Sequence, residues 1–341
     1  LRAAKACSIY RGVNPFPRRK FLLLSAGALS AGRTLVPGSV PELVRKQGVA
    51  LGATVTFTAW GADRARVETA LSEAFAELER VEAAMSLFRP ESELSRLNRE
   101  GALKNPGADL LRVLQMTMQL SAASNGAFDV TVQPLWELRR RAQQRGETIS
   151  ESAIETARAS VNWREVEISP ECIRLKRAGM ALTLNGIAQG FAADQALAVL
   201  QRHGIPHALL DTGEFSSMGR AAEGRAWRVG IQHPRKRDQF IASADLGGRC
   251  FATSGDYETA FRADFAEHHV FDPRTGHSPQ ELASVSVVAP TAMLADALST
   301  TLMVTGVAAG QGLLRQFPGA DALFVRKDGS VVTTAGLPAA A

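Results

Sequence analysis

Along residues 63–85, Val67, Leu71, Phe75, Leu78, Val81 and Met85 recur at steps of 3 and 4, which places them on one face of a long amphipathic helix. Leu110, Leu111, Leu114 and Met118 predict a second helix that ends near Asn125-Gly126. A third helix is predicted over 191–203, closed by Gly204, and a fourth over 291–304, after Pro290. Other stretches carry strand patterns. VTFTAW within 49–60 and LASVSVVA at 282–289 alternate with a period of two, and HALLD at 207–211 and WRVGI at 227–231 are further candidates. The two kinds of segment interleave from about residue 49 with no low-complexity linker and no repeat at solenoid spacing. That pattern argues for a single α+β unit.

Ahead of this body, residues 17–32 read PRRKFLLLSAGALSAG, a basic patch with adjacent Arg18 and Arg19 followed by a short apolar run. The run over 21–32 is 12 residues, too short for ~30 Å of hydrocarbon and rich in small residues, which is the grammar of an export signal. The arginine pair resembles a twin-arginine signal, which would send an already folded protein to the periplasm; a basic, frayed terminus is the alternative. No cysteine follows the run, so no lipoprotein anchor is expected, and no other segment is expected to be transmembrane. The expected organisation is a leader over 1–47, a catalytic domain over 48–335 and a flexible tail over 336–341.

Charge follows the same division. Up to Gln47 there are nine basic residues and one acid, so the leader carries +8, and removing it from the net +5 leaves the body at −3. A slightly acidic body has no footprint for a phosphate backbone, so nucleic acid is not an expected partner. With 45% hydrophobic and 21% charged residues the chain is of the ordinary globular class. Cys7, Cys172 and Cys250 are widely spaced and form no CxxC motif, and the body pair reads as small packed hydrophobes.

Candidate chemistry begins in the fourth helix, where Asp296 and Thr300 are four apart and share a face. A carboxylate and a hydroxyl are hard-oxygen ligands of the kind Mg²⁺ favours, though such a pair is also commonplace. LNGIAQGF at 184–191 passes from a strand end through Gly186 and Gly190 into a helix, where bare backbone approaches a ligand or a neighbouring element. ATSGDYETAF at 252–261 and HHVFDPRTG at 268–276 add a polar turn, paired histidines and a second turn on Asp272, Pro273 and Gly276. Histidine beside such turns is an acid/base candidate or a solvated pair. In SNGAFDVTVQPLWELRR at 124–140, Phe128 could stack on an aromatic ring and Asp129 could cap or bind, or the segment is core. MSLFRPESELSRLN at 85–98 offers Phe88 and Arg89 beside a helix start at Pro90.

Taken in order, MSLFRPESELSRLN, GAFDVTVQPLW, LNGIAQGFAAD, HALLDTGEF, ATSGDY, HHVFDPRTG and ASVSVVAPTAMLADALST resemble the ApbE family of FAD:protein FMN transferases, over about residues 50–305. The resemblance implies an α+β, T-fold-like single catalytic domain with FAD, the substrate, in a groove. It implies Mg²⁺-dependent transfer of FMN to a Thr or Ser hydroxyl of an acceptor flavoprotein, with release of AMP. On the matching positions, Gly186, Asp296, Ser299 and Thr300 would be metal ligands. Leu51, Phe88, Ala127, Phe128, Asp129, Thr183, Gln189 and Val270 would contact flavin or adenosine, and His269 would be general base or phosphate partner, with Asp296 also in the catalytic set.

Four positions depart from the family pattern: Thr183 stands where Asp is usual, Gln189 where Lys or Glu is usual, Glu214 where a glycine is common, and Leu51 where methionine is frequent. DTGEF, FRADFAEHHVFDP and the arginine pair resemble the NosX-like subgroup encoded beside nitrous-oxide reductase, whose acceptor would be a membrane-anchored flavoprotein facing the periplasm. Hydrolysis of FAD by a Mg²⁺-dependent pyrophosphatase, or non-catalytic FAD binding and delivery, are the alternative readings.

Overall fold

A helix with one apolar stripe is stable only where something covers that stripe. The computed structural model describes residues 42–221 and 224–337. In chain order the strands are β1 (Glu42–Ala50), β2 (Ala53–Gly61), β3 (Ala102–Lys104), β4 (Val166–Ile168), β5 (Cys172–Leu175), β6 (His207–Asp211), β7 (Phe215–Met218), β8 (Arg228–His233), β9 (Lys236–Asp245), β10 (Cys250–Gly255), β11 (Leu282–Ala289), β12 (Asp321–Arg326) and β13 (Val331–Thr333). The α-helices are α1 (Arg64–Met85), α2 (Glu93–Glu100), α3 (Ala108–Ala123), α4 (Gln133–Arg145), α5 (Glu151–Arg158), α6 (Ala188–Arg202) and α7 (Ala292–Leu314).

An eight-stranded antiparallel sheet runs β1-β2-β6-β7-β10-β11-β12-β13, and α1, α6 and α7 cover one of its faces. The stripe predicted for α1 is buried there at Val67, Leu71, Leu78, Val81 and Met85. Asp63 caps the helix by accepting from the Arg66 N–H at 3.1 Å. The second helix ends at Ser124, with Asn125 and Gly126 both at positive φ. The third begins at Ala188, a few residues earlier than its apolar pattern, because its first turn is packed against α7 rather than exposed.

Three expectations are corrected. Residues 42–47, read as leader, form most of β1 and pair with β2 from Glu42–Gly61 onward; an edge strand with an open face carries charged residues such as Arg45 and Lys46, which made it look like leader. The basic pair Arg18-Arg19 and the apolar run lie outside the described residues. The tail read from 336 is packed at its start, since Leu337 is buried beside Trp227 and Val325. The fourth helix runs on to Leu314, with Gly306 at φ 74° interrupting it, and with 23 residues and an 18-residue stretch of mean hydropathy 1.4 it is long and apolar enough to cross a membrane. It is a core helix instead, packed on β10, β11 and α6.

LASVSVVA coincides with β11, but its alternation does not separate core from solvent: all eight residues are buried. Val285, Val287 and Ala289 meet the helices, while Val288 joins a second apolar layer with Trp227, Val229, Ile231 and Phe251. The β8–β9 hairpin supplies much of that layer, and Ser286 on the same face is satisfied by Thr253 at 2.8 Å.

Candidate active site

The site is built where α6 meets α7. The two helices run antiparallel and touch through backbone: a Cβ at Gly190 would fall on the Ala292 carbonyl and lie 2.8 Å from the Met293 Cα. Only glycine allows that approach. It lets the Gly190 N–H donate to Asp296 Oδ2 at 3.1 Å, so a 5% exposed carboxylate is held at a fixed place on α7. One turn on, Ser299 Oγ donates to the Asp296 carbonyl at 2.9 Å. From β10, Ser254 Oγ lies 2.7 Å from Ser299 Oγ and 3.1 Å from Thr300 Oγ1. Gly186 completes the group, since a Cβ there would stand 2.9 Å from Thr300 Oγ1.

Asp296, Ser299, Thr300 and Gly186, predicted together, are therefore brought together, and Ser254 joins them. Their chemistry is one carboxylate among hydroxyls and backbone oxygens. Among the described residues no group of three or more His, Cys, Asp or Glu is placed to hold a metal ion. A cation here would take only part of its coordination from the protein and the rest from water or ligand phosphate. That donor set fits a hard ion such as Mg²⁺ and does not fit a thiolate- or imidazole-bound one.

The predicted flavin and adenosine positions fall in separate parts of the fold, and only some of them are tied to the segments that lead to this cluster. Thr183 N–H donates to the Val130 carbonyl at 2.8 Å, which lays the 127–130 segment beside the approach to Gly186. Ala127 and Phe128 are buried, with Phe128 N–H on Ser124 Oγ at 3.1 Å. Asp129 is a cap: Oδ1 accepts from the Thr131 N–H at 2.8 Å and hydroxyl at 2.6 Å, and Oδ2 from the Trp163 N–H at 3.0 Å. Burial pushes its carboxyl up, and those hydrogen bonds pull it back. Gln189 is turned to the DTGEF turn, donating to the Thr212 carbonyl at 3.2 Å. Elsewhere, Leu51, at φ 54°, donates its N–H to Glu82 Oε2 at 3.0 Å, and Arg89 reaches Glu82 Oε1 at 3.4 Å. Phe88 beside it is 61% exposed, an aromatic face open to a ring system. The expected helix start at Pro90 moves to Ser92, whose hydroxyl accepts from the Ser95 N–H at 3.0 Å.

The paired histidines separate. His268 is fully buried, its Nε2 on the Pro279 carbonyl at 3.2 Å and its Nδ1 accepting from the Val270 N–H at 3.4 Å. Burial first, then the neighbouring His269, pushes its pKa down to about 3, so it is neutral. His269 is half-buried and tied to the end of the β10 segment by its N–H on the Thr259 carbonyl at 3.0 Å. Val270 is buried, and the loop closes on Asp272, which accepts from the Arg274 N–H at 2.9 Å. Phe271 anchors it against Leu135 and Ile154.

The sequence profile of the ApbE family matches residues 51–324. The chain belongs to the ApbE family. It is 33% identical over 294 residues to the FAD:protein FMN transferase of Treponema pallidum, covering 80% of this chain and 81% of that protein. With the FAD:protein FMN transferase of Haemophilus influenzae it shares 31% identity over 313 residues, 86% of this chain and 89% of that one. Its fold matches the crystal structure of the apo flavinyl transferase ApbE of Pseudomonas stutzeri with a TM-score of 0.76 at 29% identity, over 87% of this chain and 96% of that one. The flavin transferase ApbE of Vibrio cholerae gives a TM-score of 0.75 at 26% identity, over 87% and 98%. The single α+β domain is thus that of the ApbE structures.

Within this ApbE-family chain, the sequence marks Ser254 and Asp256 only as a polar turn, of which Ser254 and Gly255 in fact end strand β10, and leaves Asp194 unremarked. Ser254 reaches the α7 hydroxyls only through the β10–α7 packing. Asp256, two residues on, is buried and accepts both guanidinium arms of Arg235 at 2.7 Å, with that guanidinium 4.1 Å over the Phe265 ring. Asp194, four residues after Gly190 and so on the same face of α6, accepts from the N–H groups that open α7. Its place in LNGIAQGFAAD, one helical turn beyond a glycine, is the signal that was there to be read.

Proposed function

We propose that this chain is an FAD:protein FMN transferase that moves the FMN half of FAD onto a Thr or Ser hydroxyl of an acceptor flavoprotein and releases AMP. The observation that carries the reading is the oxygen cluster at the α6–α7 crossing, where Asp296, Thr300, Ser299, Ser254 and the Gly186 backbone converge. Asp296, Thr300 and the Gly186 carbonyl would hold Mg²⁺, with Ser299 beside them. A bound Mg²⁺ would supply neutralisation of charge on the FAD pyrophosphate.

The protein's own part is positioning. The 127–130 segment, Thr183 and Gln189 would bind beside the cluster, and Leu51 and Phe88 would offer apolar contact to the ring system. The acceptor oxygen attacks the FMN phosphorus, the P–O bond to AMP breaks, and His269 takes the hydroxyl proton. His268 cannot serve as that base, because it is buried, neutral and already paired on both ring nitrogens. Thr183 and Gln189 leave two positions in the groove uncharged, so binding there rests on hydrogen bonds and the cation. We assign the acceptor to a periplasmic, membrane-anchored flavoprotein of a nitrous-oxide reductase system, reached by twin-arginine export.

Incubation with FAD, Mg²⁺ and an acceptor domain tests this. Equimolar AMP and a fluorescent flavin band on the acceptor in a denaturing gel are expected. AMP with no labelled acceptor would replace transfer by hydrolysis, and bound FAD with neither product would leave only a flavin-binding protein.

A further inference from the structure

The geometry points to Asp194 as a positioning residue that joins α6 to the opening of α7 and thereby sets where Asp296 and Thr300 stand relative to Gly186. Asp194 Oδ1 accepts from the Ala292 N–H at 2.8 Å and Oδ2 from the Met293 N–H at 2.9 Å. These are first-turn amides with no partner inside their own helix. Thr291, the residue before them, takes the next one with its hydroxyl, from the Leu294 N–H at 3.2 Å. The helix therefore has its own cap and, in addition, a carboxylate reaching in from another helix.

The register makes the consequence local to the site. Gly190 faces Asp296, and one turn further along α6, Asp194 faces Ala292, which is one turn before Asp296 on α7. The two helices are thus fastened at two successive levels, one through the carboxylate of Asp296 itself. Packing on β10, β11 and α6 holds the body of α7, while its first turn is tied to α6 by polar contacts at these two levels. The second level fixes that turn, and with it the direction in which Asp296, Ser299 and Thr300 project. The Cys250 sulfur also accepts from the Ala292 N–H, but as a weak acceptor it does not stand in for a carboxylate that spans both amides. Arg112 of α3 and the Cys250 thiol, whose Sγ is 4.0 Å from Asp194 Oδ1, are the charged and titratable groups beside it, and neither provides a carboxylate acceptor for the amides. A cavity of about 420 Å³ lined by Arg112, Asp194, Cys250, Thr291 and Met293 lies alongside, so the first turn of α7 has room to move if the attachment is lost.

This inference rests on the reading of the α7 cluster as the ion site. The test is Mn²⁺ affinity in the presence of FAD, measured by electron paramagnetic resonance on full-length wild type, Asp194→Asn and Asp296→Ala, together with the Mg²⁺ dependence of AMP release. Asp194→Asn is expected to weaken Mn²⁺ binding about 10-fold or more, the scale of losing a group that orients metal ligands, and kcat should recover at high Mg²⁺. A merely structural role would lower the thermal midpoint and leave the affinity of the folded protein unchanged; that result overturns the inference. If Asp296→Ala abolishes Mn²⁺ binding while Asp194→Asn leaves it intact, only the positioning role fails. If Asp296→Ala itself binds as the wild type does, the ion-site reading fails and takes this one with it. Should Asp194→Asn not fold, Asp194→Glu keeps the charge but lengthens the arm, and unchanged Mn²⁺ affinity in that variant overturns the inference equally.

Discussion

The α6–α7 crossing and the 268–276 loop both carry groups that flavin transfer would use, yet they are built from different materials. At the crossing Asp296, Ser299 and Ser254 are buried and Thr300 is half-buried; they lie on a helix and a central strand and are spaced by backbone contacts that tolerate no side chain at Gly190. In the loop, position comes from turns, an Asp272–Arg274 pair and one anchoring ring, Phe271, and His269 remains half-buried. The difference separates two tasks. Charge on a pyrophosphate is best met by groups that do not reorganise, whereas a group that moves a proton to and from an arriving protein substrate must be reachable.

Removing a carboxylate from the rigid region should have the largest effect. Asp296→Ala is expected to lower AMP release and acceptor labelling by about 100- to 1000-fold, as for loss of one preorganised electrostatic group, with FAD retention followed by fluorescence polarisation. Next comes the reachable region: on the proposed role, His269→Ala should cost about 100-fold in kcat, while His268→Asn should cost far less, since His268 is buried and paired on both ring nitrogens. Equal losses from the two would erase the distinction between them. Gly190→Ala probes rigidity itself. With a Cβ driven onto Ala292, about 2 to 3 kcal/mol of stability should be lost in urea unfolding, and activity should fall with it.

The smallest effect is a pH dependence. His268 has its pKa lowered by burial to about 3, so the folded protein binds that proton less tightly than the unfolded chain does. Its contribution to stability is complete above the unfolded value and is lost as pH falls, by about 2 kcal/mol between pH ~7.5 and ~5. Asp194 acts in the opposite sense: burial raises its pKa to about 6, so its contribution to stability declines as pH rises through the range between about 4 and 6. Comparing wild type with His268→Asn isolates the first term. The variant should show a shallower loss of stability on acidification, measured by chemical denaturation at each pH.

How much of this was legible in the chain depended on whether the contact was local. Asp296 and Thr300 declared themselves through helical spacing, and Gly186 and Gly190 through bare backbone ahead of a helix, because both signals lie within a few residues; the strand end expected at Leu184 is instead irregular backbone and a turn. Ser254 showed only as part of a polar turn, since its partners are 45 and 46 residues away and meet it only after β10 and α7 have packed. For Asp129 the residue type admitted either capping or binding, and three hydrogen bonds to residues 131 and 163 settle the capping. The alternation of β11 marked it as a strand but not what covers its Ser284–Ser286 face, which the distant β8–β9 hairpin helps to bury. Glu42–Gln47 read as leader for the complementary reason: a polar edge strand has almost no hydrophobic signature of its own.

The central claim is that the oxygen cluster on α7 and β10 is where the cation and the FAD pyrophosphate meet. Crystals of the protein grown with FAD and Mn²⁺, with anomalous differences collected at the manganese edge, test it most directly. The account predicts one strong peak among Asp296, Thr300 and the Gly186 carbonyl, in contact with the phosphates. A manganese ion elsewhere, or ordered FAD whose pyrophosphate lies away from Asp296, would contradict it.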